Sequence, residues 1–152
     1  MSGPGRYGGA KKSASRRVPT VSDLLPYAAN SECYLVAEYV AKLYPTLRYD
    51  AGYYVYAGDE PGMALRNEPD PRSWAGRAGD HAWCVAPDGT IVDPTYAQID
   101  PSVKVAFIQK GDPRHRRYHS WSEHHSGRGC LLRKLRVEEE CQAPGCDYKG
   151  RR

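Results

Sequence analysis

The chain predicts an α+β fold: a helix bearing a cysteine, packed on a small antiparallel sheet, with basic flexible ends. Three observations carry this. "NSECYLVAEYVAKLYP" repeats apolar residues at helical spacing, with Leu35, Val36, Tyr39, Val40 and Leu43 on one stripe. "RYDAGYYVYAG" has the tyrosine-rich composition of a strand. "HAWCVAPDGTIVDPTY" reads as two short strands around a Pro-Asp-Gly turn. With 152 residues there is room for one core but not two.

The elements follow in order. Residues 1–18 are rich in Gly, Ser, Lys and Arg without a hydrophobic period and are expected to form a disordered basic arm. Residues 19–110 are expected to form the main folded domain. Ser22 is a candidate cap for a short helix through Leu24 and Leu25 that Pro26 cuts off. Asn30 or Ser31 is expected to cap the longer helix, and Tyr44-Pro45 to end it. Residues 58–80 hold three prolines and four glycines and read as a long irregular loop. Its excess of acids favours a neutral or cationic substrate, with Met63 and Trp74 as apolar contacts of a cleft. "SVKVAFIQKG" alternates Val103, Val105 and Phe107 as a further strand, and "CLLRKLRVEEEC" suggests a short helix. Residues 111–152 form a basic, His- and Cys-containing extension.

The turn sets the register. "APDG" suits a type I turn, with Gly89 taking positive φ in a G1 bulge, so Ala86 pairs with Thr90. His81, Trp83 and Asp93 then share one face, with His81 and Asp93 as diagonal neighbours. A carboxylate there can fix the imidazole tautomer and leave the other ring nitrogen to move a proton. Cys33 supplies a nucleophile in the first turn of a helix, where unpaired N–H groups favour an anionic sulfur and can face a developing oxyanion. Cys84 falls on the opposite face of the strand and reads as a packed interior thiol. Trp83 reads as a core aromatic or the wall of the substrate cleft.

A cysteine at a helix start, then "HAW" opening one strand and "DPT" ending the next, resembles the transglutaminase-like branch of the papain-like cysteine enzymes, over about residues 22–108. The resemblance implies a papain/transglutaminase-like fold with Cys33 as nucleophile, His81 as base and Asp93 as orienting carboxylate. It implies a cysteine hydrolase, peptidase or acyltransferase acting through a thioester on a peptide, protein or small amide or ester. Hydrolysis, deamidation and transfer to an amine share every step but the last acceptor. Asn30 is the nearest candidate for a second oxyanion donor. No cofactor is expected.

Charge offers an alternative function. Residues 1–20 carry +5, residues 21–109 carry −6 and residues 110–152 carry +5. Basic ends of this kind suit a non-catalytic module that contacts nucleic acid or an acidic protein. Five cysteines at irregular spacing predict free thiols rather than a disulfide framework. With no apolar membrane-length run and no apolar leader core, the sequence predicts a cytoplasmic protein without a membrane partner. Cys130, Cys141 and Cys146, with His119, His124 or His125 upstream, have the residue types of a zinc site but lack paired C-x2-C knuckles.

Overall fold

The computed structural model describes residues 17–61, 75–124 and 126–151. The basic arm apart from Arg17 and Val18, the loop residues Met63 and Trp74, and His125 lie outside them. The described residues fold into a five-stranded antiparallel sheet with three α-helices: α1 (Val21–Leu24), α2 (Cys33–Leu43) and α3 (Leu131–Leu135). The strands are β1 (Arg48–Val55), β2 (Ala78–Val85), β3 (Ile91–Asp93), β4 (Ala106–Ile108) and β5 (Tyr118–Ser120), ordered β4-β3-β2-β1-β5. No helix among the described residues is long and apolar enough to cross a membrane.

The hairpin register follows from its turn. The Ala86 N–H donates to the Thr90 carbonyl at 2.8 Å, Gly89 has φ +90°, and Cys84 and Val85 pair with Val92 and Ile91. Pro87 and the left-handed Gly89 select this turn over a two-residue loop, which would reverse the parity of every later side chain.

The sheet is covered on both faces. Ala51, Ala82, Cys84 and Val92 pack against Ala37, Val40 and Leu43 of α2. Tyr54, Trp83, Tyr96 and Tyr118 build the layer opposite. Several tyrosines satisfy their hydroxyls inside the fold. Tyr54 donates to Glu60, Tyr118 to Asp93 and Tyr148 to the Val137 carbonyl. Buried phenols persist because each finds an acceptor. Glu60, only 3% exposed, also accepts from the Ala57 and Gly58 amides and from Arg117, tying the turn after β1 to the turn before β5.

Four expectations need correction. The cap of α1 is Thr20, in a reciprocal box with Asp23, because Ser22 is already helical; Pro26 sits inside a following 3-10 turn. Neither Asn30 nor Ser31 caps α2. Glu32 does so, in the left-handed region at φ 61° and without a side-chain bond, so Cys33 is the first helical residue. The strand expected from Val103 covers only Ala106–Ile108, and Phe107 packs on the α2 side while Ala106 and Ile108 face the tyrosine layer. With apolar contacts on both faces, strict alternation was the wrong template. The segment from residue 111, assigned to an extension, contributes β5 to the sheet.

Candidate active site

β2 is the central strand and carries the histidine. Beside it β3 is short: its ladder with β2 involves Cys84 and Val85, so the edge of β2 near His81 has no β3 partner. The segment entering α2 comes past this end, where the Ala29 N–H donates to the Pro94 carbonyl. Asn30 and the first turn of α2 are thereby carried to the histidine.

The expected His81–Asp93 pair forms. His81 is 4% exposed, and its Nε2 lies 2.7 Å from Asp93 Oδ2. Burial alone would lower the imidazole pKa. The charge and hydrogen bond of Asp93, joined by a hydrogen bond with Cys33, outweigh it and raise His81 from 6.5 to about 10. With Nε2 held by Asp93, Nδ1 is the ring atom left for the Cys33 sulfur. Cys33 itself is 7% exposed, at the start of α2. The first amides of a helix have no intrahelical acceptor, so they point where charge develops on a group attacked by that sulfur.

Asp93 is fully buried and is held from three other directions. The Thr95 amide and hydroxyl donate to Oδ1 at 3.0 and 3.3 Å, and the Tyr118 hydroxyl donates to Oδ2 at 2.7 Å. Burial first, then the Asp93 charge, raises the Tyr118 phenol well above its ordinary value, so it remains a donor. Tyr118 is the functional residue that sequence reasoning missed. It lies on β5, two strands from β2, and no local motif connects it to the aspartate.

Beneath the triad, Trp83 stacks near His81 with ring centroids 6.1 Å apart and meets Tyr118 edge-on at 5.0 Å. Trp83 is 2% exposed and is not among the residues bordering the cavity at His81, so of the two alternatives the core aromatic describes its place. It supports the imidazole from below. That cavity, of about 420 Å³, is bordered by His81, Asn30, Asp80, Gln98, Tyr54 and Tyr56 among others. Asn30 therefore faces the same space as His81. Asp80 accepts a hydrogen bond from the Tyr34 hydroxyl at 2.9 Å and lends the cavity an acidic edge.

Cys84 has the interior position expected of it. Its sulfur is fully buried and donates to the Ala37 carbonyl at 3.3 Å, and burial, then the Asp93 charge, pushes its thiol up to about 12. A second group of side chains lies elsewhere in the fold: His124, Cys130, Cys141 and Cys146 place their ligand atoms within 4.8 Å of one another. His119, on β5, is not one of the four. Compared with known proteins, no family model matches the chain, and neither a curated protein nor a solved structure matches it.

Proposed function

We propose that the protein is a thiol enzyme of acyl chemistry, with a papain/transglutaminase-like arrangement of Cys33, His81 and Asp93. The observation that carries this reading is the buried imidazole bonded to Asp93 at 2.7 Å through one nitrogen, with the Cys33 thiol among the neighbours that raise its pKa. In the proposed reaction the Cys33 sulfur attacks an amide or ester carbonyl, and the C–S bond forms as negative charge builds on the carbonyl oxygen. The Cys33 amide and the Asn30 side chain are the donors for that oxygen. Protonated His81 passes its proton to the departing amine or alcohol as the old bond breaks, leaving a thioester. It then takes a proton from the water or amine that releases the acyl group. Asp93 holds the ring throughout, and Tyr118 and Thr95 hold Asp93. Asp80 at the cavity edge favours neutral or cationic substrates.

The alternative, a binding module working through basic ends, draws less support. Within the described residues Arg114 pairs with Asp112, Arg117 with Glu60 and Asp59, and Arg151 with Glu138, so part of the C-terminal positive charge is already engaged.

The test is to trap the intermediate. Incubated with an activated ester such as p-nitrophenyl acetate and quenched in acid, the chain should carry an acyl group on Cys33. Cys33→Ala should abolish the adduct and the initial burst of nitrophenol. Equal acylation of several cysteines, or none on Cys33, would contradict the proposed chemistry.

A further inference from the structure

The stretch from His124 to Cys146 supplies no group to the acyl chemistry proposed above, yet it concentrates soft ligands. His124, Cys130, Cys141 and Cys146 come from a stretch with no regular structure beyond short turns and the five-residue α3. Their ligand atoms converge to within 4.8 Å. A tetrahedral zinc with Zn–S about 2.3 Å and Zn–N about 2.0–2.1 Å has S···N edges of about 3.6 Å and S···S edges of about 3.8 Å. The His124 Nε2 lies 3.4 Å from the Cys146 sulfur and 3.5 Å from the Cys141 sulfur, close to such edges.

The surroundings are built for thiolates. The Tyr53 hydroxyl donates to the Cys141 sulfur at 3.3 Å, and the Ala143 amide lies 3.5 Å from it as a second donor. Donors of this kind are the outer partners that orient a metal-bound sulfur. Between Cys141 and Cys146 the chain reads "QAPG", and the Cys146 amide donates to the Ala143 carbonyl at 3.1 Å across Pro144 and Gly145, the latter at φ +77°. A Pro-Gly turn folds the chain back so that two cysteines four residues apart face one point. Their C-x4-C spacing is within the range of zinc ligands.

We propose that His124, Cys130, Cys141 and Cys146 bind one zinc ion as a closed, structural Cys3His site. Four protein ligands leave no open position for a substrate, and three thiolates with one imidazole are the donor set of tetrahedral zinc. Each thiol gives up its proton as its sulfur bonds to the metal, so binding one zinc releases three protons. The ion fastens the C-terminal segment to β1, since Tyr53 of that strand bonds both Cys141 and the Gln142 amide. Packing alone gives that segment a small core of Tyr53, Leu132, Val137, Ala143 and Tyr148 around the cysteines. A metal clip is the usual remedy when so short a segment has so little to bury.

The experiment uses the full chain, purified without chelator and analysed for metal by plasma mass spectrometry. About one zinc per chain is expected, with at least a tenfold drop in Cys141→Ser and Cys146→Ser and no drop in the control Cys84→Ala. Independently of any variant, cobalt(II) added to metal-free protein should give thiolate charge-transfer absorption and the intense visible bands of a tetrahedral ion. Metal-free wild-type protein that develops neither feature would overturn the site. So would a disulfide linking two of Cys130, Cys141 and Cys146, located by peptide mapping under non-reducing conditions.

Discussion

Asp93→Asn is expected to remove most of the site's chemistry and to reverse the pH dependence of the fold. In the wild type the folded-state pKa of His81, about 10, lies above the 6.5 of an unfolded histidine. The stabilisation from the charged pair is therefore complete below about pH 6.5, declines as pH rises, and is lost above about pH 10. Asparagine keeps the shape but removes the charge, so burial prevails and the His81 pKa falls below 6.5. The variant should then lose stability towards acid, where a buried neutral imidazole has to charge. Breaking a buried pair of this kind costs about 3–5 kcal/mol at neutral pH, and losing the orienting carboxylate of a triad costs about 10⁴-fold in turnover. Denaturant melts at pH steps from 5 to 10 check the sign. A variant whose stability changes with pH in parallel with the wild type would show that Asp93 does not set the charge of His81.

Gly52→Ala is the second large effect. Gly52 stands opposite His81 on β2 and opposite Ser120 on β5. A β-carbon there would lie 1.8 Å from the His119 carbonyl oxygen, a backbone atom that can move only if β5 moves. Overpacking at a backbone contact costs about 1–3 kcal/mol and occasionally more. The displacement has a functional reading, because β5 carries the Tyr118 hydroxyl that holds Asp93. The alanine variant should melt earlier and should also lose Cys33 reactivity in the protein that remains folded. A fully stable variant would mean that β5 is not held at this distance.

Much of this site was legible in sixteen residues. The Pro-Asp-Gly turn determined the register, the register determined which side chains share a face, and His81 and Asp93 met as that parity required. Cys33 was legible from its place at the start of an amphipathic helix, although the cap itself was misread. Glu32 enters the helix through a left-handed conformation that a non-glycine residue adopts only when its surroundings hold it there. Contacts between distant segments left no such trace. Tyr118 reaches Asp93 from 25 residues downstream on a three-residue strand. Glu60 and Arg117 pair across 57 positions. The four C-terminal ligands carried residue types without a familiar spacing, and only folding shows which histidine joins the cysteines. Local chemistry writes turns and helix stripes into sequence, whereas pairings across the sheet depend on where the chain returns.

The central claim is that His81 activates Cys33, and peptide-resolved alkylation by iodoacetamide tests it most directly. At neutral pH Cys33 should react much faster than Cys84, whose thiol is buried and pushed up to about 12. Access alone would favour Cys33 to some degree, so the decisive arm is His81→Gln, which keeps a polar side chain but removes the imidazole. The account predicts that the Cys33 rate falls by about tenfold or more in that variant while the Cys84 rate stays low. A Cys33 rate that is unchanged when the imidazole is gone would contradict it.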